Sequence, residues 1–147
     1  MKVKGTDEIL GGYNPVGWDY PDNPDDPNTR GSIKTIFRQL RASFGFNKNC
    51  NDSFTFSLRN GTIQNSILSR VKEPELAIYC ESYCGPIFGS GPYYLVMINN
   101  FNQDKGCFCR KSPAYENSIR NESTYDEYGM SHFSVEEYEI FQINKKP

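Results

Sequence analysis

One short segment constrains the fold of this chain more than any other. Residues 53–58 read Ser-Phe-Thr-Phe-Ser-Leu, so that small polar residues alternate with large apolar ones, and Asn60-Gly61 follows almost at once. Side chains on a β-strand point alternately to opposite faces, and this period of two predicts a strand with one apolar face. Asn-Gly is the strongest short-range signal for a β-hairpin turn. We therefore expect an antiparallel hairpin here, with the returning strand over residues 63–71.

Further short apolar runs, separated by Gly, Pro, Asn and Asp, predict more strands. Residues 2–10 indicate a hairpin that the Gly11-Gly12 pair ends, and the other runs are 76–79, 86–88, 93–99, 106–109 and 138–143. Ten Tyr and ten Phe, with twelve Gly and nine Pro, favour strands and turns over a helical bundle. At 147 residues the chain is too short for two ordinary domains. We expect one mainly β domain with minor helix, built as a two-sheet antiparallel β-sandwich with flanking short helices.

Two segments break this pattern. Three prolines among Asp and Asn in residues 20–32 predict an exposed loop. The apolar residues that follow are spaced so that they share one face of an amphipathic helix, which we expect on the surface; they are Ile33, Ile36, Phe37, Leu40 and Phe44. Residues 111–131 are polar and without a period, and we expect a long surface loop there.

The residues that could carry chemistry are few and scattered. His132, the one histidine, is either a general base or an exposed loop histidine. The pairs Cys80/Cys84 and Cys107/Cys109 offer either four thiolates to zinc or buried thiols, although neither pair has the two-residue gap of a zinc knuckle. We expect no catalytic residue, no cofactor and no metal.

Two further motifs have structural and functional readings. The glycine-rich stretch from Gly85 to Gly91 lacks the Lys-Ser/Thr ending of a phosphate loop and indicates a β-turn and bulge. The acidic residues could serve acid–base chemistry or a divalent cation, or could line a solvated strand edge; they are Asp126, Glu127, Glu136, Glu137 and Glu139.

Charge and hydropathy bound the partners. A net charge of −2 argues against nucleic acid. No apolar stretch approaches the roughly 18 residues of a membrane span, so we expect no transmembrane segment. Lys2, Lys4, Asp7 and Glu8 stand where a signal peptide would be apolar. We expect a cytoplasmic protein whose five cysteines remain thiols.

Four segments taken together resemble the TLDc domain. They are residues 9–19 (Ile-Leu-Gly-Gly-Tyr-Asn-Pro-Val-Gly-Trp-Asp), 52–58 (Asp-Ser-Phe-Thr-Phe-Ser-Leu), 85–89 (Gly-Pro-Ile-Phe-Gly) and 138–143 (Tyr-Glu-Ile-Phe-Gln-Ile). Their order and spacing match as well, and residues 60–77 are similar to the TLDc copies that follow BTB domains in large fungal families. The resemblance implies a β-sandwich with these structural positions: Gly11, Gly12, Trp18, Asp19, Phe54, Phe56, Leu58, Gly85, Pro86, Phe88, Gly89 and Phe141.

The chain departs from the TLDc pattern in two places. Relatives begin with an extra strand and helix, so residues 1–147 are expected to form a single partial, N-terminally truncated domain with an open sheet edge beside residues 2–10. Such an edge invites self-association. Residues 20–48, the loop and the amphipathic helix, stand where relatives have a short link, and an inserted exon or a retained intron would each explain them.

The function that the resemblance implies is binding and not catalysis. TLDc proteins are associated with oxidation resistance, and several bind the peripheral sector of the vacuolar proton-pumping ATPase. We expect a non-catalytic protein-interaction module with such a partner. The alternatives are a substrate-adaptor fragment of a BTB-type ubiquitin-ligase protein and a small cysteine-dependent redox protein.

Overall fold

The computed structural model describes residues 1–18, 45–59, 65–81, 84–91, 93–98, 101, 105–141 and 143. The fold is mainly β, as expected, and consists of two antiparallel sheets. In chain order the strands are β1 (Lys2–Val3), β2 (Glu8–Tyr13), β3 (Phe46–Lys48), β4 (Phe54–Arg59), β5 (Ile67–Arg70), β6 (Ile78–Cys80), β7 (Cys84–Phe88), β8 (Leu95–Ile98), β9 (Cys107–Arg110), β10 (Met130–Phe133) and β11 (Val135–Glu137). Single 3₁₀ turns occupy Pro74–Leu76 and Glu122–Thr124.

The first sheet has five strands in the order β11-β1-β2-β4-β5. β4 and β5 pair antiparallel, as the Asn60-Gly61 signal predicts, with Phe56 opposite Leu68. β1 pairs with β2 on one side and with β11 on the other. The expectation of an open edge beside residues 2–10 is therefore wrong, because β11 supplies the neighbouring strand.

The second sheet has six strands in the order β10-β9-β8-β7-β6-β3. The pairing of β7 with β8 shifts register between Cys84 and Ile87. Gly89, directly after β7, has a φ of +78°, a backbone conformation that glycine adopts without strain. The bulge and turn predicted for the glycine-rich stretch are both present.

The core lies between the two sheets. Leu10 and Val3 from the first sheet are buried with Ile78, Leu95 and other apolar residues of the second. The sheets approach closely at Gly12, where an added Cβ would lie 2.5 Å from Cζ of Phe88. The sequence reading that Gly11-Gly12 ends the first hairpin is wrong, since β2 continues through both glycines to Tyr13. A glycine here makes room for a ring from another strand.

Two other segments differ from expectation. Residues 111–131 are not simply a surface loop, because Ala114, Tyr115, Ile119 and Arg120 are buried in their middle. Residues 138–141 and 143 form no strand, and Phe141 is 78% exposed. The last strands are β10 and β11 instead, and they lie in different sheets.

The helix predicted around Ile33 to Phe44 lies outside the described residues, as does Asp19. Within the described ranges, no helix has the length and apolar character needed to cross a membrane.

Candidate protein-binding surface

Strand β4 faces the core with its small polar side chains. Thr55 and Ser57 are at most 2% exposed, as is Ser53 just before the strand. Phe54 and Phe56 are half-buried on the opposite side of the sheet, and Leu58 there is 42% exposed. The alternation predicted from the sequence is therefore present, but the apolar side chains lie on the outer face of the five-stranded sheet.

Buried tyrosines explain how the inner face tolerates hydroxyl groups. Ser53 Oγ donates a hydrogen bond to the carbonyl oxygen of Tyr13 at 2.9 Å. Tyr115 Oη, 2.9 Å from Ser53 Oγ, donates to the carbonyl oxygen of Ala77. The rings of Tyr94 and Tyr115 stack with centroids 4.8 Å apart. Small hydroxyl residues on one sheet thus leave room for these large rings. The hydroxyl groups of Ser53 and Tyr115 are hydrogen-bonded, whereas Thr55 Oγ1 is buried without a hydrogen-bond partner.

A buried ion pair joins the two sheets. Glu8 Oε2 accepts hydrogen bonds from Arg120 Nη2 at 2.7 Å and from Arg120 Nε at 3.0 Å. Arg120 Nη1 donates to Ser131 Oγ on β10 at 2.9 Å. Both charged side chains are more than nine-tenths buried. Charged groups so enclosed are stable only when paired, so Glu8 and Arg120 fix the position of the segment before β10.

The outer face of the five-stranded sheet carries a continuous apolar surface. Its centre is Phe56, whose ring lies against Gly11; a Cβ added at Gly11 would be 2.3 Å from Phe56 Cζ. The neighbouring side chains follow from the register of β2, β4 and β5, and we call the whole set the outer apolar face: Ile9, Tyr13, Phe54, Phe56, Leu58 and Leu68. Large exposed apolar patches can mark sites of interaction, which makes this face a candidate binding surface.

Exposure and ring contacts define the shape of the outer apolar face. Leu58 and Leu68 are 42% and 47% exposed, and they flank Phe56. The rings of Tyr13 and Phe54 pack with centroids 5.3 Å apart. In this register no ionisable side chain stands between these residues. The face is therefore broad and shallow, which suits another protein surface more than a small molecule.

The other positions named by the resemblance make contacts within the fold. Trp18 is half-buried and packs edge-on against Phe88, with ring centroids 5.4 Å apart. Gly85 lies under the backbone of β8, where an added Cβ would be 2.8 Å from the Met97 carbonyl oxygen. Pro86 follows it in β7. The structure brings Phe54, Phe56 and Leu58 together on the outer apolar face, with Gly11 beneath the Phe56 ring. The other positions lie elsewhere: Trp18, Gly12, Gly85, Gly89, Pro86 and Phe88.

The candidate chemical groups are not assembled into one site. His132 is exposed on β10, and its ring contacts Phe108 at a centroid distance of 5.7 Å. All five cysteines lie among the described residues, and none forms a disulfide. Burial raises the pKa of the Cys109 thiol, and burial together with Glu81 raises that of Cys84. Within the described part of the chain, no group of three or more His, Cys, Asp or Glu residues could hold a metal ion.

Two of the five acidic residues lie on a strand edge, whereas Asp126 and Glu127 lie in the turn before β10. Glu136 and Glu137 are exposed on β11, an edge strand of the five-stranded sheet. Glu136 pairs with Lys2 Nζ at 3.1 Å. Charged side chains on an edge strand discourage pairing with a further strand.

The sequence did not reveal several residues of the outer apolar face, nor the buried partner of Glu8. Ile9, Tyr13 and Leu68 are identified only through the strand register, and Arg120 only through its contact with Glu8. An arginine in a polar segment has no periodic signal that would reveal its burial. Comparison with known proteins adds no name: no protein-family model, no curated protein and no solved structure matches this chain.

Proposed function

We propose that this chain is a non-catalytic protein-interaction module and that the outer apolar face is its binding surface. One observation carries the proposal: Leu58 and Leu68 are 42% and 47% exposed next to Phe56, Leu58 two positions along β4 and Leu68 opposite Phe56 on β5. Transfer of such apolar surface out of water is favourable by roughly 25 cal/mol per Å². A partner that covers the face gains this term, and rings that are already packed lose little side-chain freedom on binding.

The resemblance to TLDc domains directs the choice of partner. It favours a cytoplasmic protein linked to oxidation resistance or to the peripheral sector of the vacuolar proton-pumping ATPase. The BTB-linked adaptor role is a second setting for the same binding activity.

A cysteine-dependent redox function has less support. Such chemistry requires a thiolate, and a raised pKa lowers the thiolate fraction at neutral pH. Burial, with Glu81 beside it, shifts the pKa of Cys84 in this unfavourable direction. The remaining cysteines are at most 4% exposed, which restricts access by a substrate.

The test compares two matched variants against the purified peripheral sector of the vacuolar ATPase. Leu68→Glu places a charge in the outer apolar face, and Tyr128→Glu places one on a side chain that is 69% exposed in the turn before β10. We expect Leu68→Glu to lose at least about tenfold in affinity and Tyr128→Glu to bind like the parent protein. Binding can be measured by fluorescence anisotropy, after circular dichroism has shown that both variants are folded.

A second arm keeps the test independent of that partner. Proximity labelling in cells, with the parent protein and both variants, identifies proteins whose labelling is lost with Leu68→Glu alone. Identical labelling by all three proteins, together with unchanged affinity in the first arm, would show that the outer apolar face is not a binding surface.

A further inference from the structure

Strand β10 lies at one edge of the six-stranded sheet, next to β9. Its first residue, Met130, is opposite Arg110, whose N–H donates to the Tyr94 carbonyl oxygen on the side of β9 away from β10. In an antiparallel pair, every second residue turns its N–H and C=O away from the partner strand. Met130 and His132 therefore direct their backbone groups outward from the edge.

The chain covers this edge with a turn of its own. We call this turn, residues 126–129, the edge cover. Asp126 Oδ1 accepts a hydrogen bond from Met130 N at 2.9 Å, and Asp126 N donates to the Met130 carbonyl oxygen at 2.9 Å. Arg120 Nη1 donates to the His132 carbonyl oxygen at 3.4 Å. These groups take the places that the backbone of a further strand would occupy.

The edge cover is held less firmly than the cover of β5. Residues 126–128 are exposed, as are residues 121–124 before them. At the β5 end, Tyr115 bridges to Val71 and is only 3% exposed. Segments with few buried apolar contacts open locally at a low cost in free energy. The edge of β10 can therefore be uncovered while the rest of the sandwich stays folded.

The residues of β10 also make it the edge that depends most on such a cover. β11 protects its own edge with Glu136 and Glu137, since charged side chains discourage pairing with a further strand. β10 reads Met-Ser-His-Phe and has no Lys, Asp or Glu. Once uncovered, it has unpaired backbone groups and none of these charges to prevent strand addition.

The spacing of the outward groups fits a second copy of the same strand. Closed dimers use a two-fold axis, about which the same residues meet. With the axis at Ser131, Met130 of each copy lies opposite His132 of the other. Each such pair exchanges both of its hydrogen bonds, so the outward groups of both strands find partners. The two six-stranded sheets then continue into one another across the interface.

We propose that the edge cover is an autoinhibitory contact, and that its release lets β10 pair antiparallel with β10 of a second copy of this chain. The proposal goes beyond the proposed function, because it uses a sheet edge and not the outer apolar face. The apparent affinity of the dimer depends on the fraction of molecules whose edge is uncovered. A change that releases the cover therefore tightens the dimer.

Variants in the turn separate release of the cover from loss of charge. Asp126→Ala deletes the acceptor of the Met130 N–H, whereas Asp126→Asn keeps an oxygen atom in its place. Glu127→Ala removes a neighbouring carboxylate that makes none of these bonds. Sedimentation equilibrium over about 1–300 µM gives each dissociation constant. We expect Asp126→Ala to lower the constant at least about tenfold, and the other two variants to behave like the parent protein.

Substitutions at His132 test whether the dimer uses the backbone of β10. His132→Pro removes an outward N–H at an edge strand, where proline is tolerated, and His132→Ala keeps that N–H. Added to Asp126→Ala, the proline should return the dissociation constant to within about twofold of the parent value, and the alanine should leave the tight dimer. Leu68→Glu, on the outer apolar face, should not change this dimer.

Hydrogen exchange in the parent protein needs no variant. Local opening of the edge cover should let the Met130 N–H exchange at least about tenfold faster than the Cys109 N–H in β9. Exchange of both only on global unfolding overturns the proposal. A folded Asp126→Ala protein that is no more dimeric than the parent at about 300 µM also overturns it, as does a dimer that His132→Pro leaves intact.

Discussion

Removal of the Arg120 guanidinium tests how the sheets are held together. Arg120 is 8% exposed, and it contacts Glu8 through two nitrogen atoms while a third reaches Ser131 Oγ. Arg120→Met keeps the length of an unbranched side chain but deletes all of these donors. Glu8, itself 7% exposed, then loses the charge that compensates it inside the sandwich.

The expected loss follows from burial and not from the number of contacts. An exposed ion pair contributes only about 0–1 kcal/mol. A buried pair behaves differently, since removing one partner leaves an uncompensated charge at a cost of about 3–5 kcal/mol. A domain starts with roughly 5–15 kcal/mol of stability. We expect Arg120→Met to lower the free energy of unfolding by about 3–5 kcal/mol, a large part of the total.

Urea unfolding followed by circular dichroism measures this free energy, and a double variant isolates the charge. Glu8→Leu together with Arg120→Met removes both ions, so no buried charge is left alone, and we expect it to be more stable than Arg120→Met by at least about 2 kcal/mol. A matched control is Lys111→Met, which breaks the pair of Lys111 with Glu122, whose side chains are 55% and 70% exposed, and should cost at most about 1 kcal/mol. A loss below about 1 kcal/mol for Arg120→Met would refute the reasoning.

Three further predictions concern glycines, thiols and tyrosines. Gly89 and Gly5 both have a positive φ, but of the two only Gly89 is crowded, because an added Cβ would lie 2.6 Å from Cβ of Tyr94. Gly89→Ala should therefore lower the free energy of unfolding in urea by about 1–3 kcal/mol more than Gly5→Ala does. Equal losses would contradict this. Cys84 is the least buried of the five cysteines, so a thiol reagent should modify it first and reach the others only on unfolding. Because the pKa of Cys84 is raised, the rate of its modification should still increase above pH 9. Rapid reaction of all five thiols would show that the sandwich is open. Burial raises the pKa of Tyr94 and that of Tyr125 to about 12 from an ordinary 10, so the folded state favours the neutral phenols. The free energy of unfolding should therefore fall between pH 10 and about 12. A flat profile in this range would mean that these rings are exposed.

The strands were largely predictable, because alternation and turn residues are local signals. The segment 53–58 and Asn60-Gly61 indicate β4 and its pairing with β5, and the structure has both. The direction in which β4 faces was not predictable in the same way. Alternation states that Phe56 and Thr55 lie on opposite faces, but not which face is inside. The answer depends on Tyr94 and Tyr115, which come from distant parts of the chain and fill the space above the small residues.

The predictions for two less regular segments, residues 111–131 and 138–143, were wrong for a related reason. Residues 111–131 have no apolar period, yet Tyr115 and Ile119 are 3% and 1% exposed. In an irregular segment, the backbone path decides which side chains are buried. Their positions do not repeat, so no sequence pattern predicts them. The alternation in residues 138–143 is a true strand signal, but Ile140 and Phe141 are 75% and 78% exposed. Local preference for a strand does not ensure pairing, because β propensity depends on the packing that the tertiary structure offers.

The candidate surface was predictable only in part. Phe54, Phe56 and Leu58 are visible in the sequence as one apolar row. Their role as an outer surface, and the contributions of Tyr13 and Leu68, follow from the register of three strands.

The place of β1 between β2 and β11 has a consequence for how the chain acquires its structure. Lys2 pairs with Ile9 nearby and with Glu137, almost the whole chain away. Among the described strands, β1 leaves the ribosome before the others, and its second neighbour, β11, emerges after them. Contacts so distant in sequence form slowly, because a long loop must close before they contribute. The nascent protein therefore passes through a stage in which β1 has an unoccupied edge, and this interval is when we expect it to depend most on chaperones.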